Sequence, residues 1–189
     1  MDLEVNNGEK IIRDKFPVYF DPSIGSSDIA VFQLPITTNT TGFYEIRDSV
    51  EAEIGDPIIF IGYPSTLVLE NSFGISTVDE KGQASPLVKR GYISGYNARN
   101  SSNTTILYDV QSLSGFSGSP VFVWDRKRRS VQVLGVMAGG YKANIHTILN
   151  GVETTYNDLF YLTSLSFGNG IGYAINIIEN YILKGIKPI

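Results

Sequence analysis

The stretch S-G-F-S-G-S-P-V-F, Ser114 to Phe122, sets one hydroxyl, that of Ser117, between Gly115 and Gly118 and ahead of a proline and a β-forming run. A serine so placed suits a nucleophile, a phosphate contact or a plain turn. Glycine accepts positive φ, so the loop can direct its main-chain amides at a small anion. The N–H groups of Gly115 and Ser117 would then face the charge of a tetrahedral acyl intermediate. Other reactive groups are few. Without cysteine there is no thiolate nucleophile, disulfide framework or zinc–thiolate site, and one histidine, His146, does not make a histidine metal cage. The chemistry expected of these residues needs no metal and no organic cofactor.

The α/β-hydrolase elbow, G-x-S-x-G, competes for the same serine, but it needs a helix immediately after it. Pro120 and the run V-F-V-W are unfit for that helix, and the second glycine position holds Ser119. Composition narrows the field further. Hydrophobic residues make up 42% of the chain, enough for one substantial core or two small ones. A net charge of −4 gives no general attraction to phosphate backbones or anionic lipid, so nucleic acid is not an expected partner. No apolar run approaches the ~18 residues that span a bilayer, and M-D-L-E-V-N-N-G-E-K has neither region of a secretory leader.

Strands have to position the serine. Asn7-Gly8 lies between Leu3/Val5 and Ile11/Ile12, the pattern of a β-hairpin. Phe16, Val18 and Phe20 alternate, Asp21-Pro22 and Gly25-Ser26-Ser27 interrupt, and D-I-A-V-F-Q-L-P makes another strand ending at Pro35. The polar stretch Thr37 to Thr41 is the best domain boundary. It leads to Gly55-Asp56-Pro57 and to I-I-F-I-G-Y-P, whose unbroken apolar run reads as a buried strand. Further strands are expected at R-G-Y-I-S-G-Y, T-T-I-L-Y-D-V, P-V-F-V-W and S-V-Q-V-L-G-V-M-A, so the class is all-β. Only the end has helical spacing, with Ala174, Ile177, Ile178, Tyr181 and Ile182 on one face before Gly185 and Pro188.

Together these residues resemble a known family. G-F-S-G-S-P-V-F is similar to the nucleophile loop of the chymotrypsin-like (trypsin-like) serine peptidases, and S-S-D-I-A-V-F-Q-L to the loop and strand carrying their aspartate, in the family's order. G-D-P-I-I-F-I-G-Y-P and V-K-R-G-Y-I-S-G resemble the first strands of the second barrel. V-L-G-V-M-A-G-G resembles the strand lining the substrate cleft, and G-I-G-Y-A-I with its helix resembles the family's ending. The likeness runs from about Leu3 to that helix and is closest to cysteine-free bacterial members.

The resemblance implies a double β-barrel with a C-terminal helix and an incomplete first barrel. Residues 1–36 would be the last three strands of the first barrel, 37–53 the connection, and 54–189 the second barrel and helix. It also implies a serine endopeptidase acting on peptide or protein substrates. Ser117 would be the nucleophile, Asp28 the acid that orients a histidine, and Gly115 with Ser117 the oxyanion amides. Gln111 would lie at the base of the primary specificity pocket, where an uncharged group gives no support for cleavage after Lys or Arg. Ala138, Gly139 and Gly140 would bind an extended substrate by strand addition. Phe116 stands where many animal members have the aspartate that pairs with a freed N-terminus, so activation by that route is not expected.

Serine at its ordinary pKa is a poor nucleophile, and the family activates it with a histidine that precedes the aspartate. No histidine precedes Asp28. V-N-N-G-E-K resembles the hairpin that follows the histidine segment, so Met1 is expected to be internal to a longer gene. Half a barrel leaves unpaired edges, and an upstream segment or an oligomer would complete it. The chain as written is then expected to be inactive, with a non-catalytic relative that binds extended peptides as the alternative. His146 follows Ser117, an order that matches none of the familiar triads, and is expected in a surface or insertion loop.

Three other features read as structural. Arg126-Lys127-Arg128-Arg129 suits a solvated hairpin tip. G-N-G-I-G-Y-A lacks the context of a phosphate loop and suits a turn before the last strand. The sequons at Asn39, Asn100 and Asn103 are read as polar loop residues.

Overall fold

The computed structural model describes residues 2–6, 11–15, 18–19, 29–32, 46, 50–63, 86–97, 104–113, 115–149 and 152–184. For 2–6, 11–15, 32, 144–149 and 152–162 it describes the backbone alone. Strands β1 (Asp2–Asn6) and β2 (Ile11–Lys15) pair antiparallel with Asn6 opposite Ile11, the hairpin that Asn7-Gly8 announces, joined by four residues. Strands β3 (Val18–Tyr19) and β4 (Val31–Phe32) make a second antiparallel pair. Among the described residues these two pairs remain separate two-stranded sheets.

The main body is a closed antiparallel barrel. Its strands are β5 (Pro57–Gly62), β6 (Leu87–Asn97), β7 (Thr105–Asp109), β8 (Pro120–Asp125), β9 (Ser130–Leu149) and β10 (Val152–Gly170), in the order β10-β7-β6-β5-β8-β9. Pairing of β9 with β10 closes the ring, so the barrel proper has no free edge. Inward side chains fill it, among them Ile58, Phe60, Ile93, Tyr108, Val121 and Met137. A barrel of this kind with a short C-terminal helix is the chymotrypsin-like architecture expected.

The run I-I-F-I-G-Y-P departs from expectation. β5 alternates strictly, with Ile58 and Phe60 fully buried while Ile59 and Ile61 are 44% and 37% exposed. An antiparallel barrel has its core on one face only, so the outward isoleucines stay wet despite the unbroken apolar sequence. Trp124 and Val131 share that outer wall.

The C-terminal helix is present as α1 (Gly172–Ile177), which continues into a π-helical stretch, Ile178–Leu183. Tyr173 and Ile177 are buried in a second cluster with Ile29, against which Tyr19, Val31, Val136 and Tyr181 pack. Gly185 and Pro188, expected to stop the helix, lie outside the described residues. The G-N-G segment is not a turn before the last strand. Gly168 to Gly170 end β10 itself, and α1 follows almost at once. Close strand contact explains its glycines: a Cβ at Gly168 would meet the Val136 carbonyl oxygen at 2.5 Å, and one at Gly170 would meet that of Thr104 at 3.1 Å.

Where a surface or insertion loop was expected around His146, β9 and β10 run on past the barrel as a two-stranded ribbon, with His146 opposite Thr155 and Leu149 opposite Val152. The basic run is a hairpin tip between β8 and β9, as expected, though not wholly solvated. Arg126 pairs with Glu53 at 2.8 Å and with Asp56, and Arg128 pairs with Asp125 at 2.6 Å.

Candidate active site

The spacing of G-F-S-G is the spacing of two linked turns. In the first, the N–H of Phe116 donates to the carbonyl of Leu113 at 3.2 Å; in the second, the N–H of Ser119 donates to the carbonyl of Phe116 at 3.0 Å. Each turn has glycine at its third position, Gly115 with φ +95° and Gly118 with φ +88°. A type II turn needs positive φ at that position, which glycine alone adopts without strain.

Phe116, the corner shared by the two turns, is fully buried and meets Phe60 edge to face with centroids 5.1 Å apart. Its neighbour Ser117 is exposed. The anchored ring thus fixes the loop to the barrel and leaves the hydroxyl at the surface. Gly62 on β5 provides the seat, since a Cβ there would lie 2.1 Å from Ser119 Oγ and 2.7 Å from the Phe116 ring. On its far side the loop is tied to β9. Gly118 N–H donates to the Met137 carbonyl at 2.8 Å, and Met137 N–H donates to the Ser119 carbonyl at 2.9 Å.

Ser117 Oγ donates to the carbonyl of Ala138 at 2.7 Å. A carbonyl accepts a hydrogen bond but does not serve as a base at neutral pH, so this contact orients the hydroxyl without activating it. Ala138, Gly139 and Gly140 follow the last residue that β8 pairs with, Val136, and lie half-buried on β9. Gly139 and Gly140 pair on their other side with Phe167 and Ser166. A Cβ at Gly140 would lie 3.2 Å from the Ser112 carbonyl oxygen, which sets the segment after Gln111 against β9.

The structure therefore brings together Gln111, Gly115, Ser117, Ala138, Gly139 and Gly140. Gln111 is exposed, and its main-chain oxygen accepts from Lys89 Nζ. Asp28 lies outside the described residues. Its neighbour Ile29 is 8% exposed, in the cluster that Val136 joins from β9. The side chain of His146 is not described. Lys89 was not singled out in the sequence. The available clue was its phase on β6, in step with inward-facing Leu87, Gly91 and Ile93.

A family model, the trypsin-like peptidase domain, matches residues 2–136. The chain belongs to that family. The match takes in Asp28, Gln111, Gly115 and Ser117 and stops two residues before Ala138. No curated protein matches the chain. Membership in the trypsin-like peptidases supports peptide hydrolysis as the general chemistry, with peptides as the substrate class. Among the described residues no helix is long and apolar enough to cross a membrane.

Proposed function

We propose that this trypsin-like peptidase domain cleaves peptide bonds through an acyl-enzyme on Ser117. The observation that carries the reading is the contact of Ser117 Oγ with the Ala138 carbonyl, which sets a turn-borne hydroxyl beside a stretch of β9 that β8 has stopped pairing with. An extended peptide laid along Ala138 to Gly140 would present a carbonyl to Ser117. The amides of Gly115 and Ser117 would receive the oxyanion, and Gln111 would border the pocket for the side chain before the scissile bond. Asp28 would orient the base, with residues 1–36 as one lobe and 54–189 as the other.

The family's histidine has no counterpart ahead of Asp28, so the 189-residue chain alone is expected to be inert. A fluorophosphonate probe read by mass spectrometry tests both parts. Without added base, Ser117 is expected to stay unlabelled. With concentrated imidazole supplied as an external base, Ser117 is expected to label ahead of other surface serines, and the Ser117→Ala variant is not. Ser117 no more reactive than its neighbours, together with peptide binding in the cleft, would favour a non-catalytic peptide binder instead.

A further inference from the structure

Lys89 is half-buried on the inward side of β6, between Leu87 and Gly91. An ammonium drawn from water needs compensating acceptors. Its Nζ donates to the main-chain oxygen of Gln111 and stands 5.7 Å from the centroid of the Phe116 ring. One amine therefore reaches both ends of the segment 111–116, which contains the first of the two turns and leads into the second. A hydrogen bond from a charged donor is stronger than one between neutral groups, and the ring face adds a cation–π attraction.

We propose that Lys89 is a positioning residue that holds segment 111–116, and through it the Gly115 and Ser117 amides, in the shape that receives an oxyanion. This rests on the peptidase reading of the site. The loop's downstream limb is fixed by the bonds of Gly118 and Ser119 to Met137. Its upstream limb has the turn bond from Phe116 N–H to the Leu113 carbonyl, and Lys89. Withdrawing the ammonium leaves the Gln111 carbonyl without that donor and uncovers one face of the Phe116 ring. Burial lowers the Lys89 pKa, the direction expected of an amine lodged in the wall rather than waving in solvent.

Amide hydrogen exchange, resolved to single residues on the whole chain, tests this. In Lys89→Met, exchange of the Phe116 amide, which donates to the Leu113 carbonyl, is expected to rise about tenfold or more, while Gly118 and the amides of β5 and β8 keep their native rates. Lys89→Arg is expected to restore protection, because a guanidinium also donates and stacks on a ring. Native protection of the Phe116 amide in Lys89→Met would overturn the assignment. A rise spread evenly over the barrel strands would overturn it too, since Lys89 would then serve general stability. If the methionine variant does not fold, Lys89→Gln gives the same comparison with a neutral amide. The readout needs no turnover, so a Ser117 that never reacts with the probe defeats the peptidase reading and leaves this result to be judged separately.

Discussion

Gly62 leaves no room for a side chain, because the loop bearing Ser117 rests on its Cα. Gly62→Ala would force Ser119 and the Phe116 ring off the strand. Overpacking of this kind costs about 1–3 kcal/mol. Its expected signature is a lowered melting temperature together with loss of exchange protection at Phe116 and Gly118, while β6 and β7 stay protected. Asp125 makes a different prediction. Its carboxylate is fully buried and accepts from Arg128 N–H at 2.8 Å, from the Arg128 guanidinium and, at 3.4 Å, from Glu51 N–H.

The Arg128 main-chain bond above all holds Asp125 below the ordinary 3.8 of an aspartate, against burial that pushes it up. A depressed carboxyl stabilises the folded chain above its unfolded value and loses that contribution as pH falls through the folded one. Thermal melts of the native chain and Asp125→Asn should therefore differ most near neutrality and converge below about pH 3.8. A gap that stays constant to pH 2 would show that the charge is immaterial. At this scale the serine loop was legible, because glycine spacing encodes turns. Lys89 was not, since the burial of a lysine depends on strands far apart in sequence.

Elements were legible wherever local pattern decides. The hairpin at Asn7-Gly8 and the helix after Gly172 follow from turn chemistry and from apolar spacing. The ribbon was missed although it has the same mark: Asn150-Gly151 joins Leu149 to Val152, flanked by threonine, isoleucine, valine and tyrosine. Attention to His146 as a loop residue passed over the alternation on either side of that turn signal. Barrel closure requires β9 and β10 only up to the pairing near Gly140 and Ser166, so the ribbon beyond is dispensable for the fold. Replacing residues 143–161 by Asn-Gly, between the paired Lys142 and Leu162, should shift the melting temperature by a few degrees at most. Collapse of the melting transition would mean that the barrel depends on the ribbon.

At the scale of the molecule, alternation and turn residues point to a barrel, but they do not say which strands adjoin. The order β10-β7-β6-β5-β8-β9 comes from long-range pairing that no local pattern encodes. The same holds for the site. Ser117 and Ala138 are 21 residues apart and meet only because β8 and β9 are neighbours. Ile29, next to Asp28 in the sequence, likewise meets Val136 of β9 only through long-range packing.

We propose that Asp28 and Ser117 face one crevice across the width of an imidazole. In such a triad the acid and the nucleophile are about 8 Å apart. The chain has no cysteine, so an Asp28→Cys/Ser117→Cys double variant carries the only two thiols. Treated with a bismaleimide of about 8 Å reach, it should close an intramolecular bridge quickly and in high yield, seen as one cross-linked peptide pair. Two thiols that react only singly, or only between molecules, would contradict the account.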